Sequence, residues 1–163
     1  MPSFNFSKII PFSKIRALAS SLKAKKKRIV FTNGCFDLIH AGHIKYLNKA
    51  KALGDVLIVG INSDSSIRKI KGPKRPIVEQ GDRAAVVAAL QSVDYISIFN
   101  DTTPIKLIKA VRPDVLVKGA DWQVSGIVGG DFVKSYGGKV RAISLVKGRS
   151  TSKLIRKIAD RFK

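Results

Sequence analysis

The chain has 163 residues, 45% of them hydrophobic and 26% charged, the balance of one globular domain large enough to bury about two-thirds of its unfolded surface without cross-links. A single cysteine, Cys35, excludes an internal disulfide framework and fits a reducing cytoplasm; no apolar run approaches the roughly 18 residues of a membrane span, and the first residues lack the apolar core of a secretory signal, so no membrane partner is expected. The 31 Lys+Arg against 11 Asp+Glu give a formal charge of +20 and favour an anionic partner. Zinc-finger spacing and an aromatic-rich RNA-binding strand are both missing, and aromatics are only 7%, so nucleic acid is not the expected one.

Residues 1–27 form a basic segment without an acid, and Ile15, Leu18 and Leu22 within it predict a short amphipathic helix over 13–25. The main domain is expected over 28–163. It opens with a strand, Arg28–Asn33, and a helix, Ala41–Leu53, whose Ile44, Leu47 and Leu53 are apolar. Asp55–Asn62 is nearly all apolar, as in a strand covered on both faces. Ile67–Val78 holds Gly72, Pro73 and Pro76 among Arg68, Lys69, Lys71, Lys74 and Arg75; it is expected to be largely loop and to close over bound phosphates as a lid. A helix over Gly81–Gln91, a strand over Val93–Phe99 and a helix over Thr103–Val111 follow. Asp114–Lys118 reads as the fourth strand, Gly129–Tyr136 as a helix, Lys139–Leu145 as the fifth strand and Ser150–Phe162 as the closing helix. Strands alternating with helices at this spacing predict βαβ units, and so a single-domain α/β fold with a Rossmann-like doubly wound sheet of about five parallel strands and flanking helices.

In such sheets ligands bind beyond the carboxyl ends of the strands, where the strand order reverses. Segments 33–43, 62–64, 118–122 and 147–152 all fall at those ends. His40 and His43, the only histidines, lie three apart on the first turn of a predicted helix. A helix start carries unpaired N–H groups, and Gly42 between the rings lets backbone and imidazoles approach one anion together. A zinc site using Cys35 is one ligand short of the usual four. Cys35 itself reads as a small buried thiol more readily than as a nucleophile. GxxxxGK[ST] and GxGxxG loops are absent, so phosphates must be held in another way.

Gly34-Cys-Phe-Asp37 followed by His40-Ala-Gly-His43 on a strand-to-helix turn resembles the HxGH signature of a nucleotidyltransferase superfamily. Thr32-Asn-Gly-Cys-Phe-Asp-Leu-Ile-His-Ala-Gly-His43, Gly60-Ile-Asn-Ser-Asp64, Lys71-Gly-Pro-Lys-Arg-Pro76, Leu116-Val-Lys-Gly-Ala-Asp-Trp122 and Gly148-Arg-Ser-Thr-Ser-Lys153 occur in that order. Together they resemble the heptose 1-phosphate adenylyltransferases, in many bacteria the C-terminal half of a bifunctional kinase/adenylyltransferase; here a stand-alone form is expected. The resemblance implies a cytoplasmic enzyme that joins ATP and D-glycero-β-D-manno-heptose 1-phosphate into ADP-heptose and pyrophosphate for lipopolysaccharide core synthesis. It also implies Mg²⁺ carried on the triphosphate; a homodimer is one state this reading allows.

The resemblance and the chemistry together assign roles. His40 and His43 would bond α- and β-phosphate oxygens as charge builds, with Lys71 and Arg83 as further catalytic contacts to the triphosphate and sugar phosphate. Lys69 and Lys74 are rivals for those contacts. Asn33, Gly34, Cys35, Phe36, Gly42, Asp121, Gly148, Ser150 and Thr151 would serve the nucleotide. Asp37, Asn62, Lys69 and Lys118 would serve the second substrate, Asp37 reading more as a carboxylate that holds the turn than as a base. No dedicated metal ligand is assigned. Gly119-Ala-Asp-Trp122 and Ser152 depart from the family, which has Gly-Gly-Asp-Tyr and a second Thr there. The Asp-Trp pair keeps open a cytidylyltransferase acting on glycerol 3-phosphate or a related small phosphate. A non-catalytic nucleotide- or nucleic-acid-binding module is the alternative of another class.

Overall fold

The computed structural model describes residues 6–119, 126–144 and 150–162. Five strands, β1 (Ile29–Gly34), β2 (Val56–Asn62), β3 (Tyr95–Phe99), β4 (Val115–Gly119) and β5 (Lys139–Ile143), form one sheet in the order β3-β2-β1-β4-β5. Every pairing is parallel. The order reverses between β1 and β4, so the crevice of the doubly wound architecture opens at the carboxyl end of β1.

Alternation along the central strands sends side chains to both faces. Ile29 and Phe31 of β1 with Ile58 of β2 join one buried cluster, and Val30 of β1 with Leu57, Val59 and Ile61 of β2 join the other. The near-continuous apolar run of β2 has this cause: all seven residues are buried. Helices α1 (Phe12–Ala24), α5 (Ile105–Val111) and α6 (Gly130–Ser135) cover the first face through Ile15, Ala19, Leu107, Ile108 and Val133. Helices α2 (Ala41–Lys51) and α4 (Gln80–Ala88) cover the second through Leu47, Ala50, Ala84 and Val87. Gly60 of β2 lies where helix α5 and β1 approach the strand closely. A Cβ there would stand 2.9 Å from Leu107 Cδ2 and 3.0 Å from Phe31 Cζ.

From residue 6 onward the basic N-terminal segment packs on the same core: Ile15 is fully buried, and Ile10 N–H donates to Ile96 O at 2.8 Å beside the edge strand β3. One expectation needs revision. The stretch read as loop begins inside a helix, α3 (Asp64–Lys71), with Ser63 as its N-cap and Ile67 fully buried. The glycine and prolines that suggested a loop come after that helix; Gly72, at φ 89°, ends it. The remaining helix, α7 (Thr151–Arg161), closes the described chain.

Because α1 shares the sheet's core, Ile15→Ala should lower global stability by about 2–5 kcal/mol, the usual cost of emptying a buried aliphatic site. Urea denaturation should show one cooperative transition displaced to lower denaturant. An unchanged midpoint would return residues 1–27 to the status of an independent segment.

Candidate active site

The carboxyl ends of β1, β2 and β4 and the start of α7 surround a cavity of about 660 Å³. It lies at the strand-order reversal. Asn33, Gly34, Cys35, Phe36, Asp37, His40, Gly42, His43, Asn62, Lys71, Lys118, Ser150 and Thr151 all line it. Residues separated by more than a hundred positions thus meet in one site.

The turn between β1 and α2 shows how the two histidines are held. His40 is the N-cap of α2: its Nδ1 accepts from Gly42 N–H at 3.1 Å. His43, three residues on, returns the bond: its Nδ1 accepts from His40 N–H at 3.3 Å. This is a capping box in which both side chains are imidazoles. The rings lie 4.0 Å apart, centroid to centroid. A neutral imidazole whose Nδ1 accepts carries its proton on Nε2, so each ring becomes an Nε2–H donor. Burial, with a smaller contribution from His40, pulls the pKa of His43 down to about 4. Near neutral pH it is therefore an uncharged donor.

The backbone plays a smaller part than expected from a helix start. Gly42 N–H is used by His40 Nδ1, and His43 and Ile44 N–H both point at His40 O. The imidazoles, and not these amides, are what the turn offers to an anion. Phe36 supports them from below in a left-handed conformation, φ 47°, its ring 5.6 Å from that of His43. Gly34 leaves room for that ring, since a Cβ at this position would lie 3.1 Å from Phe36 Cε2.

Several assigned residues turn inward instead. Arg83, expected on a phosphate, has a side chain with no exposure. Its guanidinium donates to Cys35 O, to Val78 O at 2.9 Å, to Asn62 O at 2.8 Å and to Asp64 Oδ1 at 2.8 Å. It ties the ends of β1 and β2 to the start of α4 and does not line the cavity. Asp37 is similarly engaged: its carboxylate accepts from Arg75 Nε at 2.6 Å and from Ile77 and Val78 N–H. Burial alone would raise its pKa, but the Val78 and Ile77 amides and Arg75 outweigh that and hold it below the ordinary carboxylate value. It holds the turn, as its sequence position suggested, while still bordering the cavity. The same bonds tie Arg75, Ile77 and Val78 to the turn, within the segment expected to close as a lid. Lys69 is exposed and outside the cavity lining, whereas Lys71, two residues along α3, lines it.

Lys118, Asn62, Ser150 and Thr151 border the same cavity. Lys118 Nζ donates to Asn33 O at 3.1 Å, linking the two strands that flank the reversal. Asn62 Nδ2 donates to Ser66 Oγ at 3.0 Å. Ser150 caps α7 through Lys153 N–H, and Thr151 Oγ1 donates to Leu38 O. Burial raises the pKa of the Cys35 thiol, contrary to what a nucleophile needs. Asp121 and Gly148 lie outside the described residues. Arg75, from the basic segment, also lines the cavity, and so do Thr102, Thr103 and Pro104, which were missed. The strand-end rule applied to β3 would have reached the last three.

Two outcomes follow. Arg83→Met leaves Asp64 and three carbonyls without their donor, so stability should fall by about 3–5 kcal/mol, as when a buried ion pair loses a partner; an unchanged denaturation midpoint would return Arg83 to ligand contact. For His43, the unfolded chain takes up a proton near pH 6.5 that the folded ring refuses until about pH 4. The associated stability is fully present above pH 6.5 and is lost as pH falls towards 4. His43→Gln should show a shallower loss over that window in denaturation curves, and the His43 ring resonances should titrate near pH 4.

The cytidylyltransferase-like family profile matches residues 31–156. Among curated relatives, the bifunctional protein HldE of Geobacter metallireducens is 51% identical over 93% of this chain. That of Pelobacter propionicus is 49% identical over 96%. The chain spans about a third of the length of these relatives, 31% and 32%. Among solved structures, the lipopolysaccharide core biosynthesis protein of Thermoplasma volcanium is 29% identical, with a TM-score of 0.62 over 76% of this chain and 99% of that one. A pantoate–β-alanine ligase from Francisella tularensis, 18% identical, shares the fold at a TM-score of 0.60 over 94% of this chain and 76% of its own. The histidine turn at the strand reversal lies within the matched region, and the chain belongs to the cytidylyltransferase-like family of nucleotidyltransferases.

Proposed function

We propose that the chain transfers an adenylyl group from ATP to D-glycero-β-D-manno-heptose 1-phosphate, giving ADP-heptose and pyrophosphate for lipopolysaccharide core synthesis in the cytoplasm. The observation that carries the reading is the reciprocal capping of His40 and His43, which fixes two Nε2–H donors at the mouth of the β1–β4 crevice. The HldE relatives support the choice of pathway.

In this reaction an oxygen of the sugar phosphate forms a bond to the α-phosphorus as the bond to the pyrophosphate oxygen breaks. The protein's work is placement and charge stabilisation. His43 and His40 would donate Nε2–H to α- and β-phosphate oxygens, bonds that strengthen as charge moves onto the leaving group. A neutral donor serves here without the cost of a buried cation. Lys71, on the rim, would meet the triphosphate. Ser150 and Thr151 would meet it from the start of α7, where the helix field also favours an anion. Lys118 and Asn62 would face the second substrate. Mg²⁺ would arrive with the triphosphate and be held by its oxygens and water, since the Asp37 carboxylate is occupied by Arg75 and two backbone amides.

The Asp121-Trp122 pair favours a second reading, cytidylyl transfer from CTP to glycerol 3-phosphate. Pyrophosphate release with each nucleoside triphosphate against heptose 1-phosphate and glycerol 3-phosphate separates the two. Product with ATP and the heptose phosphate is expected; product only with CTP and glycerol 3-phosphate overturns the first reading. His43→Ala should lower kcat and kcat/KM together by about 10²–10³-fold while nucleotide still binds. Near-normal turnover would leave a binding fold without this catalytic pair.

A further inference from the structure

Helix α7 is unlike the other helices: none of its residues is buried. Leu154, Ile158 and Phe162 recur four residues apart along one side, and their exposure rises from 37% to 47% to 81%. The helix therefore leaves the body of the protein as it proceeds, carrying an uncovered apolar edge. On a helical projection Leu154, Ile155, Ile158 and Phe162 share one arc, and Lys153, Arg156 and Lys157 occupy the other, with Arg161 at its border. Lys153, Arg156, Lys157 and Arg161 line a shallow groove together with Asp160, the one acid of the helix.

From this arrangement we infer that α7 docks in the plane of an anionic lipid surface, its apolar arc entering the acyl boundary and its basic arc facing the headgroups. A helix with one apolar face and a Lys/Arg-rich polar face binds an interface through both effects together. The expectation of no membrane partner rested on the lack of a spanning segment, and lying on a surface needs none. Charge decides against a second copy of the chain as occupant. Two copies would each bring a formal charge of +20, and with the apolar arcs apposed Arg161 at the border of each would flank the seam, so like charges oppose the pairing. Ile158 and Phe162 also lie far enough along the helix to be engaged without disturbing Ser150 and Thr151, which open it at the active-site cavity.

The test is sedimentation of the full chain with phosphatidylcholine vesicles prepared with or without phosphatidylglycerol, across a salt series. Binding is expected only with phosphatidylglycerol and should weaken as salt rises. Ile158→Asn/Phe162→Ser should abolish binding while pyrophosphate release stays at the wild-type rate. Lys157→Gln/Arg161→Gln should weaken binding about 30-fold, the effect of two surface cations near an anionic leaflet. Three results overturn the proposal. Equal binding to both vesicle types removes the electrostatic part. Undiminished binding of Ile158→Asn/Phe162→Ser shows that charge elsewhere on the chain, not α7, is responsible. Absence of vesicle binding, with a wild-type dimer in sedimentation velocity that this variant dissociates, assigns the face to a second copy.

Discussion

A single buried guanidinium holds the working end of this sheet together. Parallel strands bring their carboxyl ends to one edge, but the loops leaving β1 and β2 have no ladder beyond Gly34 and Asn62 to keep them in register. Arg83 supplies one, reaching from α4 to carbonyls on both loops and to Val78 and Asp64. A fully buried cation is tolerable only with such complete pairing, because its desolvation is repaid by charge-assisted bonds in a low-dielectric setting. Asp37 complements it, a buried anion satisfied by Arg75 and two amides. Between them these two groups fix the path of the chain that leads into the HxGH turn.

With that frame in place, short-range bonds set the histidines. Each Nδ1 is consumed in capping α2, and this selects the Nε2–H tautomer. The depressed pKa of His43 follows from the same packing: burial beside Phe36 and His40 disfavours a charged ring. A site lined by Lys71, Arg75 and Lys118 already carries positive charge. Directional neutral donors therefore add position where further charge would add mostly repulsion between the protein's own groups.

The excess of cations is thus divided among unlike tasks. Arg83 and Arg75 are spent inside the fold, Lys71 and Lys118 border the cavity, and Lys153, Arg156, Lys157 and Arg161 lie along α7. A net charge of +20 gives a long-range attraction to anions but says nothing about which cations meet them. Burial does, because a desolvated guanidinium is held by its partners while a solvated one stays available.

The sequence by itself determined the α/β class, the parallel five-stranded sheet and the cluster of strand-end segments that became the cavity. These depend on local periodicity and on the rule that parallel sheets bind ligands at carboxyl ends, both written in consecutive residues. The His40–His43 turn was legible for the same reason, being a contact between residues three apart. Helix α3 was hidden because the glycine and prolines that end it dominated the reading of the segment before them. That Asp37 holds the turn was read from its place beside the motif, whereas the fates of Arg83 and Lys69 were decided only by the tertiary structure. A charged side chain on a helix or turn looks the same in sequence whether it meets a phosphate, a carbonyl or water, and only the packing of distant loops around it settles which.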